Sequence, residues 1–276
     1  MGIAYAATEG GGHHGEEHSI GETILHHVQD THVFDLWPLG HVNLPEIHLF
    51  GIDFSITKHL VMMWIASILL IAVLQLAFRR RAAVPSGIAN LFEALVVFLR
   101  DEVILPNTGE AGRRYLPFLL TTFFFILSCN LLGLVPYGAT ATGNITVTAA
   151  LALIALAMIQ WGGIKEHGLK HHLQNLVPHG LPVWLLPIMI PVEILGQFTK
   201  PFALCVRLYA NMTAGHIVIL SFISMIFIFE SFLISPIAVG FALFINLLEV
   251  FIAFLQAYIF TLLTSLSMGM SIHPQH

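Results

Sequence analysis

Charge is scarce in this 276-residue chain: only 10% of its residues are Asp, Glu, Lys or Arg, against about 25% in soluble globular domains. No Lys or Arg precedes Lys58 and none follows Arg207. The chain therefore has no basic stripe for a phosphate backbone, which excludes nucleic acid as a partner. Cysteine is almost lacking as well. Cys129 and Cys205 both lie in apolar runs, where they read as small hydrophobes rather than a disulfide framework. GxxxxGK[ST] does not occur, and the one GxGxxG string, Gly10–Gly15, stands in the polar Gly- and His-rich tail, so no nucleotide is expected to bind this chain. The N-terminal histidines sit among glycines without fixed spacing, and neither a metal nor a cofactor is expected. What is present is apolar: 57% of residues are hydrophobic and the mean hydropathy is +0.83. That leaves too little polar surface to cover a water-soluble globule, and the chain reads as an integral membrane protein.

Apolar run length sets the organisation. Residues 1–57 form a polar tail rich in Gly, His and acids, with an amphipathic helix expected around 18–30. MGIAYAATEG lacks the basic and apolar regions of a complete signal peptide, although AYA resembles the remnant of a cleavage site. Residues 58–276 form the membrane domain. The first span runs from about His59 to Phe78. Residues 85–105 mix apolar positions with Glu93, Arg100, Asp101 and Glu102 and read as an amphipathic helix on the membrane surface. A second span covers about Tyr115–Pro136. After a Gly/Thr-rich turn at Gly138–Gly143, a third covers about Asn144–Trp161, followed by a polar loop at Lys165–His179. Two longer apolar segments, about 182–229 and 232–268, complete the chain, with Ser235-Pro236 at the turn between them. A 37-residue helix is about 55 Å long, against a hydrocarbon core of about 30 Å. The expected fold is therefore all-α, with five membrane-crossing helices plus a surface amphipathic helix, the last two crossings long, antiparallel and strongly tilted.

Arg79, Arg80, Arg81, Arg100, Arg113, Arg114, Lys165 and Lys170 all fall in the first and third connections. The positive-inside rule places those two connections in the cytoplasm. The acidic tail is then extracytoplasmic, and five crossings bring the C-terminus into the cytoplasm.

Ionisable groups within spans are rare and usually functional. Here they gather in the last two helices. Glu193, Lys200 and Arg207 repeat every seven residues and share one stripe. Asn211 lies one turn past Arg207, and His216 nine residues past it, near the opposite face. On the last helix Glu249 and Gln256 are seven apart, with Asn246 one turn before Glu249. Arginine does not release its proton at accessible pH, so it can attract a carboxylate or block a travelling proton but not relay one. His216 and Glu249 can each take up and release a proton, and the amides can hydrogen-bond a file of water. A proton path interrupted by a permanent cation amounts to two half-channels. Arg207 could equally tie helices together by pairing with Glu249 or Glu193.

The stretch PVEILGQFTKPFALCVRLYANMTAGH, followed by LEVFIAFLQAYIFTLL, resembles subunit a of the F-type ATP synthase membrane sector. NLLGLVPY, after an aromatic-rich run, is similar to the middle of that family. The resemblance spans roughly residues 58–270, and the order and separation of the two late motifs make it specific. It implies a stator subunit that couples proton flow to rotation of a c-subunit ring, alongside a b-subunit peripheral stalk, in a bacterial plasma membrane. It implies no catalytic site in the chain itself.

By the same resemblance, Arg207 in RLYAN matches the essential arginine that faces the ring's ion-carrying carboxylate. Asn211 matches its polar neighbour. His216 and Glu249 match a pair lining the outer half-channel, together with Asn246. In some members the acid and the histidine stand the other way round. Gln256 matches the amide near the arginine, and Glu193 and Lys200 match polar positions on the cytoplasmic side. Ala203 stands where some relatives carry a hydroxyl. The alternative, a proton-coupled secondary transporter, would call for inverted repeats and a midplane substrate site, and no such repeat is visible. A purely structural scaffold would have no need of this set of polar residues on two successive helices.

Overall fold

The computed structural model describes residues 33–36, 40–43, 48–49, 52–53, 57–79, 87–134, 140–174, 186–229 and 235–273. The expected helix at 18–30 lies outside them. Within the tail two short antiparallel ladders form: β1 (Val33–Leu36) with β2 (Gly40–Asn43), and β3 (His48–Leu49) with β4 (Ile52–Asp53). Period-two patterning over such short stretches is too weak to have revealed them.

The membrane part is all-α. Helix α1 spans Lys58–Ala77 and α2 spans Ile88–Phe98. A π-helical turn, Leu99–Ile104, links α2 to a short α3, Leu105–Thr108. A 3-10 segment, Glu110–Tyr115, precedes α4 (Leu116–Gly133). After a 3-10 turn at Ala141–Gly143 come α5 (Ile145–Gln174), α6 (Leu186–Phe229) and α7 (Ser235–Ile272). Among the described residues, five helical stretches are long and apolar enough to cross a membrane: Lys58–Ala77, Glu110–Gly133, Ile145–Leu169, Pro187–Ser224 and Pro236–Ile272. Most of their surface is exposed and apolar, as lipid contact requires.

Two boundaries differ from the sequence reading. The helix expected to stop before Pro106 runs on to Thr108. Proline has no N–H to give, and the chain adapts by widening: the Leu105 N–H reaches back five residues to the Arg100 carbonyl. Side chains cap the neighbouring carbonyls, Asn107 Nδ2 on Val103 at 2.7 Å and Thr108 Oγ1 on Ile104 at 2.7 Å. The polar loop expected from Lys165 is helical as far as Gln174, with a break at Gly168, where φ is 78°. Only glycine adopts that conformation cheaply. The Lys-, His- and Leu-rich sequence around it is otherwise compatible with a helix.

The main core lies where α4 and α7 cross, joined by the π-turn: Leu99, Ile104, Leu119, Phe123, Ile126, Phe260 and Met268 are all buried there. Phe123 stands edge-on to both Phe124 and Phe254, with centroids 5.2 and 5.7 Å apart. The crossing is steep. Phe123 and Asn130, about 10 Å apart along α4, meet the adjacent residues Phe254 and Ala253 of α7. Farther along, the adjacent Ser271 and Ile272 bond Ile159 and His167 of α5, eight residues apart. With 18 residues, α4 is about 27 Å long and matches a bilayer core. A 38-residue α7 that crosses α4 steeply cannot share its direction through the membrane. Helix α6, 44 residues with Pro191 and Pro201 inside it, lies antiparallel to α7.

Candidate functional site

The antiparallel pairing of α6 and α7 appears in three contacts: Asn211 with Gln256, His216 with Glu249, and Phe222 stacked on Phe241. Each step up α6 is matched by a step back along α7. Glu249, Ala253, Gln256, Phe260, Thr264 and Met268 form one buried stripe of α7. Their spacing of four and three residues is the inward face of a packed helix. Of its polar members, Glu249 and Gln256 are 4% and 2% exposed, in positions where an apolar side chain would be the cheaper choice.

His216 Nδ1 lies 3.8 Å from Glu249 Oε1. On its other side, His216 Nε2 lies 3.1 Å from the Gly133 carbonyl oxygen and 3.0 Å from Thr140 Oγ1. A carbonyl only accepts, so Nε2 carries a hydrogen and donates it. The neutral ring then presents a bare lone pair at Nδ1 to the carboxylate. Neither Glu249 oxygen, nor Nδ1, has a hydrogen-bond partner among the described residues. Two facing acceptors repel unless a proton sits between them, either as imidazolium or as carboxylic acid. The pair is thus built to hold one proton and to exchange it. Its closeness depends on Gly215: a Cβ there would overlap the Glu249 carboxylate.

The far side of His216 is organised by the turn after α4. Thr140 and Thr142 are buried at 4% and 0% exposure. The Thr140 carbonyl accepts from His59 Nδ1 of α1 at 3.0 Å. Gly133 leaves the space that the Thr140 side chain fills. Fully buried Asn130 accepts from Thr142 Oγ1 at 2.6 Å and donates to the Ala253 carbonyl at 3.3 Å. It thereby ties the turn to α7 midway between Glu249 and Gln256.

The sequence-predicted residues divide into three groups. His216 meets Glu249, and Asn211 Nδ2 donates to Gln256 Oε1 at 2.9 Å, leaving Gln256 Nε2 unpaired and buried. Arg207 and Lys200 are exposed on α6. Arg207 makes no ion pair or hydrogen bond among the described residues, so it is not the helix tie with Glu249 that the sequence left open. Asn246 is half-buried one turn before Glu249. Glu193 lies on α6, with its side chain outside the described set. The sequence reading missed His59, Asn130, Thr140, Thr142 and Gly215. It also missed the Gln160–Gln197 hydrogen bond that joins α5 to α6. The available signals were faint: a histidine opening the first span, and a lone Asn and Gln inside otherwise apolar runs. Among the described residues no three His, Cys, Asp or Glu side chains are grouped to hold a metal.

A family profile described as ATP synthase A chain matches residues 60–268. The chain is 52% identical over 259 residues to "ATP synthase subunit a" of Chloroherpeton thalassium, covering 91% of this chain and 77% of the relative. It is 49% identical over 261 residues to "ATP synthase subunit a 2" of Chlorobaculum tepidum, covering 92% and 74%. To "ATP synthase subunit a" of Myxococcus xanthus it is 52% identical over 229 residues, covering 82% and 75%.

Proposed function

The chain belongs to the ATP synthase A chain family, and on that premise we propose that it is the proton-conducting stator subunit of a bacterial ATP synthase, with two half-channels separated by Arg207. The observation that carries this reading is the division of labour on α6 and α7. One face holds an exposed Arg207 with no ion pair or hydrogen bond among the described residues, and one turn away a polar line begins at exposed Asn211 and runs through buried Gln256 and Glu249 to half-buried His216.

Protons enter from outside along Asn246, Glu249, His216 and Asn211. They neutralise a carboxylate on the c-subunit ring, and the neutral site turns into lipid without the penalty of a bare charge. After nearly a full turn the site releases its proton toward the cytoplasm beside Glu193 and Lys200. Arg207 draws the ionised site in and blocks a direct leak between the paths, because its own proton is never given up. Each charge crossing ~100 mV supplies about 2.3 kcal/mol, so several protons serve each ATP. The steep inclination of α7 lets one helix pair serve two paths displaced sideways along a ring. In this reading residues 1–57 lie outside, the C-terminus is cytoplasmic, the amphipathic helix at 88–108 rests at the cytoplasmic surface, and the b-subunit stalk holds the subunit still.

The test is ATP-driven proton pumping into inverted vesicles carrying the whole complex with Arg207→Ala, with passive leak recorded and ring attachment checked by co-purification. Loss of coupled pumping in an assembled complex is the expected result. Full pumping in an assembled complex overturns the reading.

A further inference from the structure

Helix α1 is the least buried of the five candidate spans, yet it carries a histidine that is only 5% exposed. That histidine does not face lipid. His59 Nδ1 sits 3.0 Å from the Thr140 carbonyl, and since a carbonyl can only accept, Nδ1 donates. Thr140 opens the 3-10 turn Ala141–Gly143. Its hydroxyl is 3.0 Å from His216 Nε2, and its side chain fills the space that Gly133 leaves open. The Gly133 carbonyl is the other group on Nε2, at 3.1 Å. Beneath the contact a small core of Ala66, Cys129 and Ala141 presses α1, α4 and the turn together. Only a donor holds the carbonyl.

We infer that His59 is a positioning residue for the His216–Glu249 pair, acting from α1 through Thr140 to fix which nitrogen of His216 carries its hydrogen. The inference rests on the proton-transfer reading of that pair. With the turn held, Thr140 and Gly133 keep the hydrogen on Nε2, and Nδ1 stays free for the proton exchanged with Glu249. With the turn released, the ring can rotate or change tautomer, and Nδ1 no longer offers a lone pair to the carboxyl. Glu249 faces His216 from α7, and His59 faces it through Thr140 from α1. Among the described residues, α4 presents the Gly133 carbonyl and the turn presents the Thr140 hydroxyl, neither of them titratable here. On α6 itself the nearest charge among the described residues is Arg207, nine positions back.

The experiment is ATP-driven pumping into inverted vesicles, measured across pH, with the whole complex carrying His59→Leu, His59→Asn or, as a reference, Glu249→Gln. Loss of one buried hydrogen bond predicts a fall of about ten-fold for His59→Leu, together with a displaced pH optimum and intact ring co-purification. His59→Asn, whose amide N–H can reach the same carbonyl, restores the rate to within a few-fold and the optimum to its original place. Parent-like rate and optimum in His59→Leu, or no advantage of His59→Asn over it, overturns the inference. Where His59→Leu does not assemble, His59→Gln moves the donor by one methylene, and a parent-like optimum in that variant overturns it as well. Glu249→Gln separates the two levels: if it pumps normally, the proton-transfer reading fails, and if it is inactive while the His59 variants are normal, only the role of His59 fails.

Discussion

His216 Nδ1 and Glu249 Oε1 face each other across 3.8 Å, and neither atom has a hydrogen-bond partner among the described residues. The gap is longer than a hydrogen bond, and it sits against the Gly215 backbone. Two titratable groups whose facing atoms are buried and unsatisfied act as one unit at this distance, since the proton that satisfies one also satisfies the other. Exchanging them is therefore the sharpest test of the pair. The double variant His216→Glu with Glu249→His is expected to recover most of the pumping that each single change loses. Contacting residues couple by roughly 0.5–3 kcal/mol, so recovery of about ten-fold over the worse single variant is the expected size. Additive losses in assembled complexes would show that the two residues act separately.

Gly215→Ala tests the same pair from the backbone side. The added methyl would occupy the space of a Glu249 carboxylate oxygen, so either the carboxyl swings away or the helices part. Overpacking of this kind costs about 1–3 kcal/mol. Pumping is expected to fall at least ten-fold, while passive leak stays at the parent's level because Arg207 is untouched. Unimpaired pumping with the complex intact would mean that the carboxyl has free room elsewhere.

The sequence revealed the spans but little of what surrounds the site, for a physical reason. Span lengths follow from apolar run length, a one-dimensional quantity, and α1 and α4 lie within a few residues of where hydropathy puts them. The residues on α6 and α7 were legible because an Arg, a His or a Glu in an apolar run is expensive and stands out. Thr140, Asn130 and Gly215 are not expensive in isolation. Their importance lies in contacts between residues 76 or 123 positions apart, which no local pattern encodes. The helix break at Gly168 and the π-turn before Pro106 were likewise invisible, because both are local compromises with the packing around them.

The Asn211–Gln256 bond at 2.9 Å joins α6 to α7 on the Arg207 side of the pair. It leaves Gln256 Nε2 buried without a hydrogen-bond partner among the described residues. A double-mutant cycle on pumping rates with Asn211→Ala and Gln256→Ala is expected to give a coupling of about 1 kcal/mol, the net worth of such a bond. Strictly additive rate losses would show that the two amides serve different steps.

Outside the spans, Arg100 grips Asp101 through two bonds, Nε to Oδ1 at 2.7 Å and a terminal nitrogen to Oδ2 at 2.9 Å. The hydrogen-bonded guanidinium holds the Asp101 carboxyl below the usual carboxylate range. A carboxyl whose pKa is lowered by folding stabilises the fold fully above its ordinary pKa. That contribution is lost as pH falls through the lowered value. Both partners are exposed, so salt screens the gain. Arg100→Gln is expected to lower the melting temperature of the purified complex slightly at neutral pH and low salt. The difference should shrink with added salt and vanish in strong acid. A difference that grows on acidification would reverse the sign and exclude this pair as its source.

Gly269 marks the tightest approach between α7 and the helix at 88–108. A Cβ there would run into the Asn107 backbone carbonyl. Asn107 Nδ2 also touches Ser265 Oγ at 3.3 Å, so the contact is anchored on the same face one turn earlier. A backbone carbonyl cannot step aside as a flexible side-chain end can, and the methyl must push the π-turn segment off α7. That separation would uncover Leu99, Val103 and Ile104, which are at most 1% exposed in the main core. Gly269→Ala is expected to destabilise the subunit by about 1–3 kcal/mol, seen as a lower melting temperature and a smaller yield of intact complex. The residues proposed to line the half-channels are untouched by this change, so complexes that do assemble should pump at close to the parent's rate. A variant as stable as the parent would show that the segment before Pro106 is not clamped to α7 in the assembled enzyme.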